Sequence, residues 1–252
     1  MEISLPASEP KILILGGTAE AAALATAFAK LPVNAITSLA GRTSNPAKLT
    51  GTVRSGGFGG IDGLAAYLDS EGIDLIIDAT HPYAARISQN AIQAAGKRGI
   101  RLVRLERPAW EKKPKDHWVD ISDEAEAANA IPSGERVFLA LGRQHIAPFA
   151  ERADVHFIIR MIDPPDVTLP QDCEIVLARP GDYTAERHFL ENRRIGLIVS
   201  RNSGGTISYA KIEAARALGL PVMMIARPPV AAKNIVASPE DAIAFARAAL
   251  GF

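Results

Sequence analysis

Two short glycine turns in this sequence have the composition of an anion site. The apolar run Ile12–Leu15 is followed at once by the first glycine turn, residues 16–18 (Gly-Gly-Thr). A second apolar run, Leu197–Val199, is followed after four polar residues by the second glycine turn, residues 204–206, of the same composition. Each turn precedes an alanine-rich stretch with helical spacing, and a helix N-terminus presents free backbone N–H groups. The two turns therefore predict sites for phosphate- or carboxylate-bearing ligands.

The end of the second predicted strand bears on which dinucleotide the first turn would bind. A fold specific for NAD places an Asp or Glu there to hold the ribose 2′-hydroxyl. Here the strand ends Ser38-Leu39-Ala40-Gly41-Arg42, with a cation and no acid. A guanidinium binds a 2′-phosphate through charge-assisted hydrogen bonds. Although the G-x-G-x-x-G fingerprint is absent, the sequence favours NADPH, the alternative being that Arg42 is a solvated loop residue.

A third glycine cluster, the glycine loop (residues 56–60), surrounds the single aromatic residue Phe58. Four glycines are entropically expensive in an ordinary surface turn. Close approach of the backbone to a cofactor is the favoured interpretation, and a flexible loop with Phe58 as an anchor is the alternative.

The fourth predicted strand ends Asp78-Ala79-Thr80-His81-Pro82-Tyr83, where cofactor and substrate meet in a doubly wound sheet. His81 and Tyr83 could contact the nicotinamide, orient the substrate or deliver a proton, and a structural, hydrogen-bonded role is the alternative for His81. Asp78 follows an apolar strand and is expected to hold backbone N–H groups.

An arginine recurs two or three residues after the last apolar residue of several predicted strands. In parallel sheets this position is the ligand-binding rim. A rim so rich in cations, in a chain with no net charge, indicates a polyanionic organic ligand. The arginines are Arg42, Arg107, Arg143, Arg179, Arg201 and Arg227.

Composition narrows the possible functions of the 252-residue chain. Basic and acidic residues number 28 each, which gives no support for binding to nucleic acid or to an anionic membrane. The single cysteine, Cys173, excludes an internal disulfide and a cysteine metal cage, so we expect a cytoplasmic protein without a metal site. The N-terminal residues lack the pattern of a secretory signal, and no apolar run is long enough to span a bilayer.

Apolar runs alternate with helical patterns along the chain, which is typical of mostly parallel sheets covered on both faces. The predicted strands are Lys11–Leu15, Val33–Leu39, Thr52–Ser55, Ile73–Asp78, Ile100–Leu105, Arg136–Leu141, Val155–Ile162, Glu174–Ala178, Ile195–Val199 and Pro221–Ala226. The predicted helices are Thr18–Lys30, Asp62–Ser70, Pro82–Lys97, Asp123–Ala130, Thr184–Asn192, Ile207–Leu218 and Pro239–Leu250. The proline- and lysine-rich stretch 107–117 is the candidate linker.

Several of these motifs, taken together, resemble the precorrin-6A reductase family of cobalamin biosynthesis. They span about residues 11–230 in the family's order, and the set is specific although each motif alone is weak. The motifs are Gly16-Gly17-Thr18-x-Glu20, Ser38-Leu39-Ala40-Gly41-Arg42, Gly56-Gly57-Phe58-Gly59-Gly60, Asp78-Ala79-Thr80-His81-Pro82-Tyr83, Glu106-Arg107-Pro108-Ala109-Trp110, Asp163-Pro164-Pro165, Asn202-Ser203-Gly204-Gly205 with Lys211, and Pro221–Pro228.

The resemblance implies an α/β protein of two Rossmann-like, doubly wound halves around a central cleft. Residues 1–112 would bind NADPH and residues 113–252 the tetrapyrrole, with the option that the last strand or helix packs on the first half. The implied activity is NADPH-dependent reduction of one double bond of precorrin-6A to give precorrin-6B, with transient contacts to neighbouring pathway enzymes as a further option. The macrocycle carries many carboxylates, which suits the arginine-rich rim.

From the motifs and the resemblance together we assign the candidate site residues. Catalytic roles go to His81 and Tyr83. Cofactor contacts go to Gly16, Gly17, Thr18, Ser38, Arg42, Gly57, Phe58, Gly59, Gly60, Thr80 and His81. Substrate contacts go to Arg143, Arg201, Asn202, Ser203, Gly204, Gly205, Lys211 and Arg227. The alternatives are an NADP-dependent reductase of a smaller anionic substrate and a non-enzymatic regulator that senses NADP; a cobalt-free and a cobalt-loaded macrocycle both stay open.

Overall fold

The chain folds into two compact units. The structure, a computed structural model, describes residues 9–41, 48–162, 164 and 167–252. The first unit comprises the described residues up to Arg107 together with Pro228–Phe252, and the second is Pro108–Arg227. The boundary expected at 112/113 falls inside the second unit, while the last strand and the last helix belong to the first.

Each unit contains parallel strands connected mainly through helices. In chain order the strands are β1 (Lys11–Leu15), β2 (Asn34–Leu39), β3 (Thr52–Ser55), β4 (Leu75–Asp78), β5 (Arg101–Leu105), β6 (His117–Ile121), β7 (Arg136–Ala140), β8 (His156–Met161), β9 (Cys173–Leu177), β10 (Leu197–Arg201), β11 (Pro221–Ile225) and β12 (Ile235–Val236). The helices are α1 (Ala19–Phe28), α2 (Gly60–Glu71), α3 (Ala85–Arg98), α4 (Glu124–Ala130), α5 (Tyr183–Asn192), α6 (Ala210–Leu218) and α7 (Pro239–Leu250).

The two sheets share one doubly wound order of five of their six strands, but the sixth strand is the last of its unit in the first sheet and the first of its unit in the second. Each has six strands, in the order β12-β5-β4-β1-β2-β3 in the first unit and β6-β11-β10-β7-β8-β9 in the second. Neighbouring strands pair in parallel throughout both sheets. The strand order reverses between β1 and β4 in the first sheet and between β7 and β10 in the second, which are the positions where such folds bind ligands. The prediction of two Rossmann-like halves with mostly parallel sheets is confirmed.

Alternate residues of β1 pack on opposite faces of the first sheet. Ile12 and Ile14 belong to an apolar cluster with α1 and α7, to which Phe28 and Ala246 contribute. Leu13 and Leu15, on the opposite face, belong to a second cluster, with α2 and α3. Since both faces are covered, β1 is apolar at every position from Ile12 to Leu15, which is why its sequence contains a continuous apolar run.

The structure corrects the prediction of a linker over residues 107–117. Trp110 is 9% exposed and belongs to the apolar core of the second unit, so this stretch packs as part of that unit. His117 begins β6, an edge strand that the sequence analysis missed. Only Trp118 and Ile121 of β6 are buried, so its sequence lacks the apolar run that marks a central strand.

Several predicted helix ends are confirmed and others are wrong. Thr18, where the first predicted helix begins, is the N-cap of α1. Gly72 and Gly99 end α2 and α3 in the left-handed conformation, each two residues after the predicted end. Asp62, however, lies inside α2, whose N-cap is Gly59. Pro82, predicted to begin the third helix, lies in a turn before α3. The turn spans residues 81–84 and is closed by the hydrogen bond from the Ala84 N–H to the His81 carbonyl.

The contact between α2 and the glycine loop predicts that the stability of the protein is unusually sensitive to substitution of Gly63. A Cβ at this position would overlap the carbonyl oxygen of Phe58. We expect Gly63→Ala to lower the free energy of unfolding by about 1–3 kcal/mol, the usual cost of overpacking. Gly96→Ala in α3 is the matched control, since a Cβ there meets no atom within 4 Å and should raise stability by about 0.5–1 kcal/mol. Urea unfolding of both variants tests this; equal stabilisation of the two would contradict the close contact.

Candidate functional site

The first glycine turn is held to both neighbouring strands of its sheet. The backbone N–H of Gly16 donates to the Ser38 carbonyl at 2.9 Å. The Thr18 hydroxyl donates to the Ala79 carbonyl at 2.8 Å and accepts from the Ala21 N–H at 3.1 Å, capping α1. Gly17 is exposed and has a φ of 110°, which disfavours any residue with a side chain. The turn is therefore rigid, with exposed backbone at the N-terminus of α1.

A carboxylate lies in the first turn of α1, where it would oppose a phosphate. Glu20 is paired with Arg107, whose Nη1 lies 2.8 Å from the Glu20 Oε2. Arg107 thus compensates the charge of Glu20 and contributes less to a cationic rim than its position in the sequence suggested.

Ser38 and the glycine loop are joined by a residue that sequence analysis did not single out, Arg54. Ser38 is 6% exposed, and its hydroxyl accepts from the Arg54 Nη1 at 2.6 Å. Arg54 also donates to the carbonyls of Gly56 and Gly57. Beside Gly56, Gly57, Gly59 and Gly60 a Cβ would meet no atom within 4 Å, so the space along the loop is open. Arg42 lies outside the described residues.

His81 and Tyr83 are brought together after β4. The Tyr83 N–H donates to the His81 Nδ1 at 3.3 Å, and the two rings lie 5.7 Å apart at an angle of 38°. Both side chains are partly exposed. Because Nδ1 accepts this hydrogen bond, a neutral His81 carries its proton on Nε2.

A buried ionic network supports the segment that carries these two residues. Asp78 and Arg104 occupy paired positions of β4 and β5, their side chains are 1% and 0% exposed, and their charged atoms lie 2.6 Å apart. The Arg104 guanidinium also donates to Ser88 and Glu106, each at 2.6 Å. Asp78 accepts from the N–H and the hydroxyl of Thr80. As expected, Asp78 holds a backbone N–H, that of Thr80 alone, and Arg104 is the partner that sequence analysis missed.

The electrostatics of this network keep Arg104 charged. Burial alone would lower its pKa, but the carboxylates of Asp78 and Glu106 more than compensate and raise it above its usual value.

Three arginines of the second unit lie at the carboxyl ends of adjacent strands, at the same edge of its sheet. Arg143 follows β7, Arg201 is the last residue of β10 and Arg227 follows β11; these strands are neighbours in the order β11-β10-β7. All three side chains are partly exposed. Arg143 and Arg201 flank the point where the strand order reverses. The sequence expectation of a cationic rim therefore has a geometric basis in this unit.

The second glycine turn is engaged with residues 108–110 of the same unit. The Asn202 side-chain amide bonds with the N–H and carbonyl of Trp110 at 2.7 and 2.9 Å. The indole N–H of Trp110 donates to the Gly205 carbonyl at 2.7 Å, and a Cβ on Gly204 would overlap the Pro108 carbonyl. These contacts give Asn202, Gly204 and Gly205 a structural role, and they account for the residue types of Asn202 and Gly204.

The expectation that the second turn passes straight into a helix N-terminus is wrong. Residues 207–209 form a turn, and α6 begins only at Ala210, without a side-chain cap. A surface pocket of about 490 Å³ lies beside the turn, and Trp110, Gly205, Thr206 and Tyr209 contribute to its lining.

Lys211, expected to be a cation of the rim, is buried. Its side chain is packed beside the Trp110 ring, with Nζ 4.9 Å from the ring centroid, and Nζ donates to the Ser208 carbonyl at 2.8 Å. Burial, followed by the charges of Arg160 and Arg201, lowers the pKa of Lys211 to about 7, although Glu186 opposes this. Glu186 itself is held by both terminal nitrogens of Arg160, at 2.7 and 2.9 Å.

Neither a metal site nor a membrane span is found in the described part of the chain. No cluster of three or more His, Cys, Asp or Glu side chains there could hold a metal ion. None of the helices there combines the length and the apolar character needed to cross a bilayer.

Comparison with known proteins identifies close relatives. The family model described as "Precorrin-6x reductase CbiJ/CobK" matches residues 11–247. The precorrin-6A reductase of Rhodococcus erythropolis is 50% identical over 87% of this chain and 90% of its own length, and that of Rhodobacter capsulatus is 42% identical over 91% and 93%. A solved structure titled "CobK precorrin-6A reductase" superposes with a TM-score of 0.90 at 40% identity, covering 95% of this chain and 97% of the other.

The ion pair between Asp78 and Arg104 predicts strong energetic coupling. We expect Arg104→Met to lower the free energy of unfolding by about 3–5 kcal/mol, because it leaves a buried carboxylate uncompensated. Asp78→Asn in the same background should restore part of that loss. The exposed pair of Arg98 and Asp69 is the control, and Arg98→Met should cost less than about 1 kcal/mol. A double-mutant cycle measured by urea unfolding tests this, and strictly additive effects at positions 78 and 104 would contradict it.

The low pKa of Lys211 predicts a pH dependence of stability. Its pKa falls from 10.5 in the unfolded chain to about 7 in the folded state. Between these values the unfolded chain binds more protons, so this group's contribution becomes more favourable to folding as the pH rises. Below about pH 7 both states are protonated, and the cost of burying the ammonium is fully present.

We therefore expect Lys211→Met to be more stable than the unsubstituted protein at about pH 6, with a difference that shrinks by about pH 9. Urea unfolding at both pH values measures the difference. Lys97→Met, at an exposed position, is the control and should show a small difference at both. A difference for Lys211→Met that is constant with pH would argue against a neutral lysine.

Proposed function

Since the chain belongs to the precorrin-6x reductase CbiJ/CobK family, we propose that it is a precorrin-6A reductase of cobalamin biosynthesis that uses NADPH and forms precorrin-6B. The observation that carries this proposal is the set of arginines at the carboxyl ends of three adjacent strands of the second unit, at the point where its strand order reverses. A tetrapyrrole with many carboxylates is a ligand of matching charge.

The first unit supplies the residues that would hold NADPH. Gly17 and the glycine loop leave open space beside the backbone, into which a pyrophosphate and ribose can approach. Thr18 fixes the N-terminus of α1, and Ser38 lies where the adenosine ribose meets the second strand in this fold. Arg42 is proposed as a contact to the 2′-phosphate. These residues fit a phosphorylated dinucleotide.

When bound, NADPH supplies the hydride that reduces one double bond of the macrocycle. Thr80, His81 and Tyr83 follow β4, beside the strand reversal where the nicotinamide is expected. Asp78 and Arg104 hold the start of this segment in one conformation, so that its side chains are positioned before the ligands bind. The proton that completes the reduction comes from His81, Tyr83 or solvent.

Arg143, Arg201 and Arg227 would bind the substrate carboxylates by charge-assisted hydrogen bonds. Ser203 lies beside them, while Asn202, Gly204 and Gly205 shape the turn. Lys211, being buried beside Trp110, would support the turn without contacting the carboxylates. The names of the two relatives given above specify precorrin-6A, which supports the cobalt-free macrocycle as substrate. A cytoplasmic location fits this role.

Two other functions make different predictions. A reductase of a smaller anionic substrate would oxidise NADPH without requiring the tetrapyrrole. A regulator that senses NADP would bind the cofactor, but it would not oxidise NADPH in the presence of any precorrin.

Anaerobic incubation with NADPH and either precorrin-6A or its cobalt-loaded form separates these alternatives. We expect loss of the nicotinamide absorbance together with a change of the tetrapyrrole spectrum, in equal molar amounts and faster with the cobalt-free form. NADPH binding without either change would refute the reductase proposal.

Substituting Arg201 tests the rim in the same assay. Arg201→Gln should raise the KM for the macrocycle about 10- to 100-fold, the scale of a lost charge-assisted hydrogen bond, and leave the KM for NADPH unchanged. Arg179→Gln is the control of equal charge change, since Arg179 is exposed and follows β9, the strand at the sheet edge. Equal effects of the two substitutions would contradict a specific role for the three-arginine rim.

A further inference from the structure

Arg54 occupies a position from which it can contact a ligand at the end of the second strand. It lies in β3 directly opposite Ser38 of β2, one residue before both strands end. The carbonyl of Ser38 accepts from the N–H of Gly16 at 2.9 Å, so Ser38 links the first glycine turn to Arg54. Arg54 is partly exposed.

The guanidinium of Arg54 is fixed before any ligand binds. Its Nη1 donates to the Ser38 hydroxyl at 2.6 Å and to the Gly56 carbonyl at 3.1 Å, and its Nη2 donates to the Gly57 carbonyl at 3.3 Å. Its central carbon lies 3.9 Å from the centroid of the Phe58 ring and 5.0 Å from that of Tyr67. A side chain held by three hydrogen bonds and two rings loses little further entropy on binding a ligand.

This arrangement leaves part of the guanidinium available. Arginine has five N–H donors. The three bonds above use both N–H groups of Nη1 and one of Nη2, which leaves the N–H of Nε and one N–H of Nη2. In arginine, Nε and Nη2 share one edge of the planar group, and donors along that edge form a fork that matches two oxygens of a phosphate.

The charge of Arg54 is also uncompensated by side chains in the described ranges. The acceptors of its three hydrogen bonds are a hydroxyl and two carbonyls, and no carboxylate there forms an ion pair with it. Arg104, Arg107 and Arg160 of the same protein each pair with an acid. A fixed, partly exposed and unpaired guanidinium beside a ribose position is suited to an anion.

We propose that Arg54 recognises the phosphate on the adenosine ribose of the dinucleotide, through its Nε and Nη2, and so determines the preference for NADPH over NADH. The inference rests on the proposed use of NADPH and names a residue that the sequence analysis did not. Phe58 and Tyr67 hold the guanidinium, and Ser38 aligns it. The glycine loop is thereby coupled to the recognition of the phosphate.

Binding of two cofactor fragments tests this without turnover. The probes are 2′,5′-ADP and 5′-AMP, which differ only in the ribose 2′-phosphate, and calorimetric titration measures both affinities. We expect the protein to prefer 2′,5′-ADP, and Arg54→Gln to reduce that preference about 10- to 100-fold while changing the affinity for 5′-AMP much less. Arg54→Lys should retain part of the preference, because it keeps the charge and loses the fork.

Arg98→Gln is the matched control, because it removes the same charge from an exposed position at the end of α3. It should leave the affinity for both probes unchanged. An Arg54→Gln variant that loses affinity for both probes equally would show that Arg54 only supports the loop. An unchanged preference would likewise overturn the inference.

The test separates this inference from the proposed function. If the unsubstituted protein prefers 2′,5′-ADP and Arg54→Gln and Arg54→Lys keep that preference, only the role of Arg54 fails. If the unsubstituted protein shows no preference for the 2′-phosphate, the proposed use of NADPH fails with it. Should Arg54→Gln not fold, Arg54→Lys and the titration of both probes still decide the question.

Discussion

Parallel pairing of neighbouring strands is the constraint on which both candidate sites depend. When strands run in the same direction, all their carboxyl ends lie at one edge of the sheet, and each connection must cross back over a face of that sheet. Residues far apart in sequence, such as Gly16 and His81, therefore follow adjacent strands. In the second unit the same constraint places Arg143 near Arg201. The chemistry of each unit is thus concentrated where its strand order reverses.

Most of the regular elements could be predicted because their physical signals are local. Central strands such as β1 are buried on both faces and read as apolar runs, while Thr18 and Gly72 mark helix ends through capping chemistry that involves only nearby residues. β6 escaped prediction because an edge strand with two buried residues has no such run. β12 has only two residues, and its pairing with β5 is fixed by contacts that the local sequence does not specify.

The candidate site was predictable where the backbone conformation selects the residue type. It was less predictable where the pairing of strands determines which residues come into contact. The glycines of the first turn could be recognised in the sequence, because few other residues tolerate those positions. Arg54 and Arg104 do not, since each looks like an ordinary charged residue of a strand until the register places it opposite Ser38 or Asp78. Lys211 illustrates the reverse error: a cation near a glycine turn suggested a ligand contact, yet tertiary packing buries it.

The path of the chain between the two units has a consequence for biosynthesis. The first sheet receives β12 at its edge and α7 on one face from Pro228–Phe252, which are synthesised after the whole of the second unit. Until that segment leaves the ribosome, β5 has an open edge, and the apolar face that Ala242 and Ala246 cover is exposed to solvent. The amino-terminal unit consequently cannot mature on its own during translation, and the nascent chain carries an incomplete nucleotide fold while the second unit is being made.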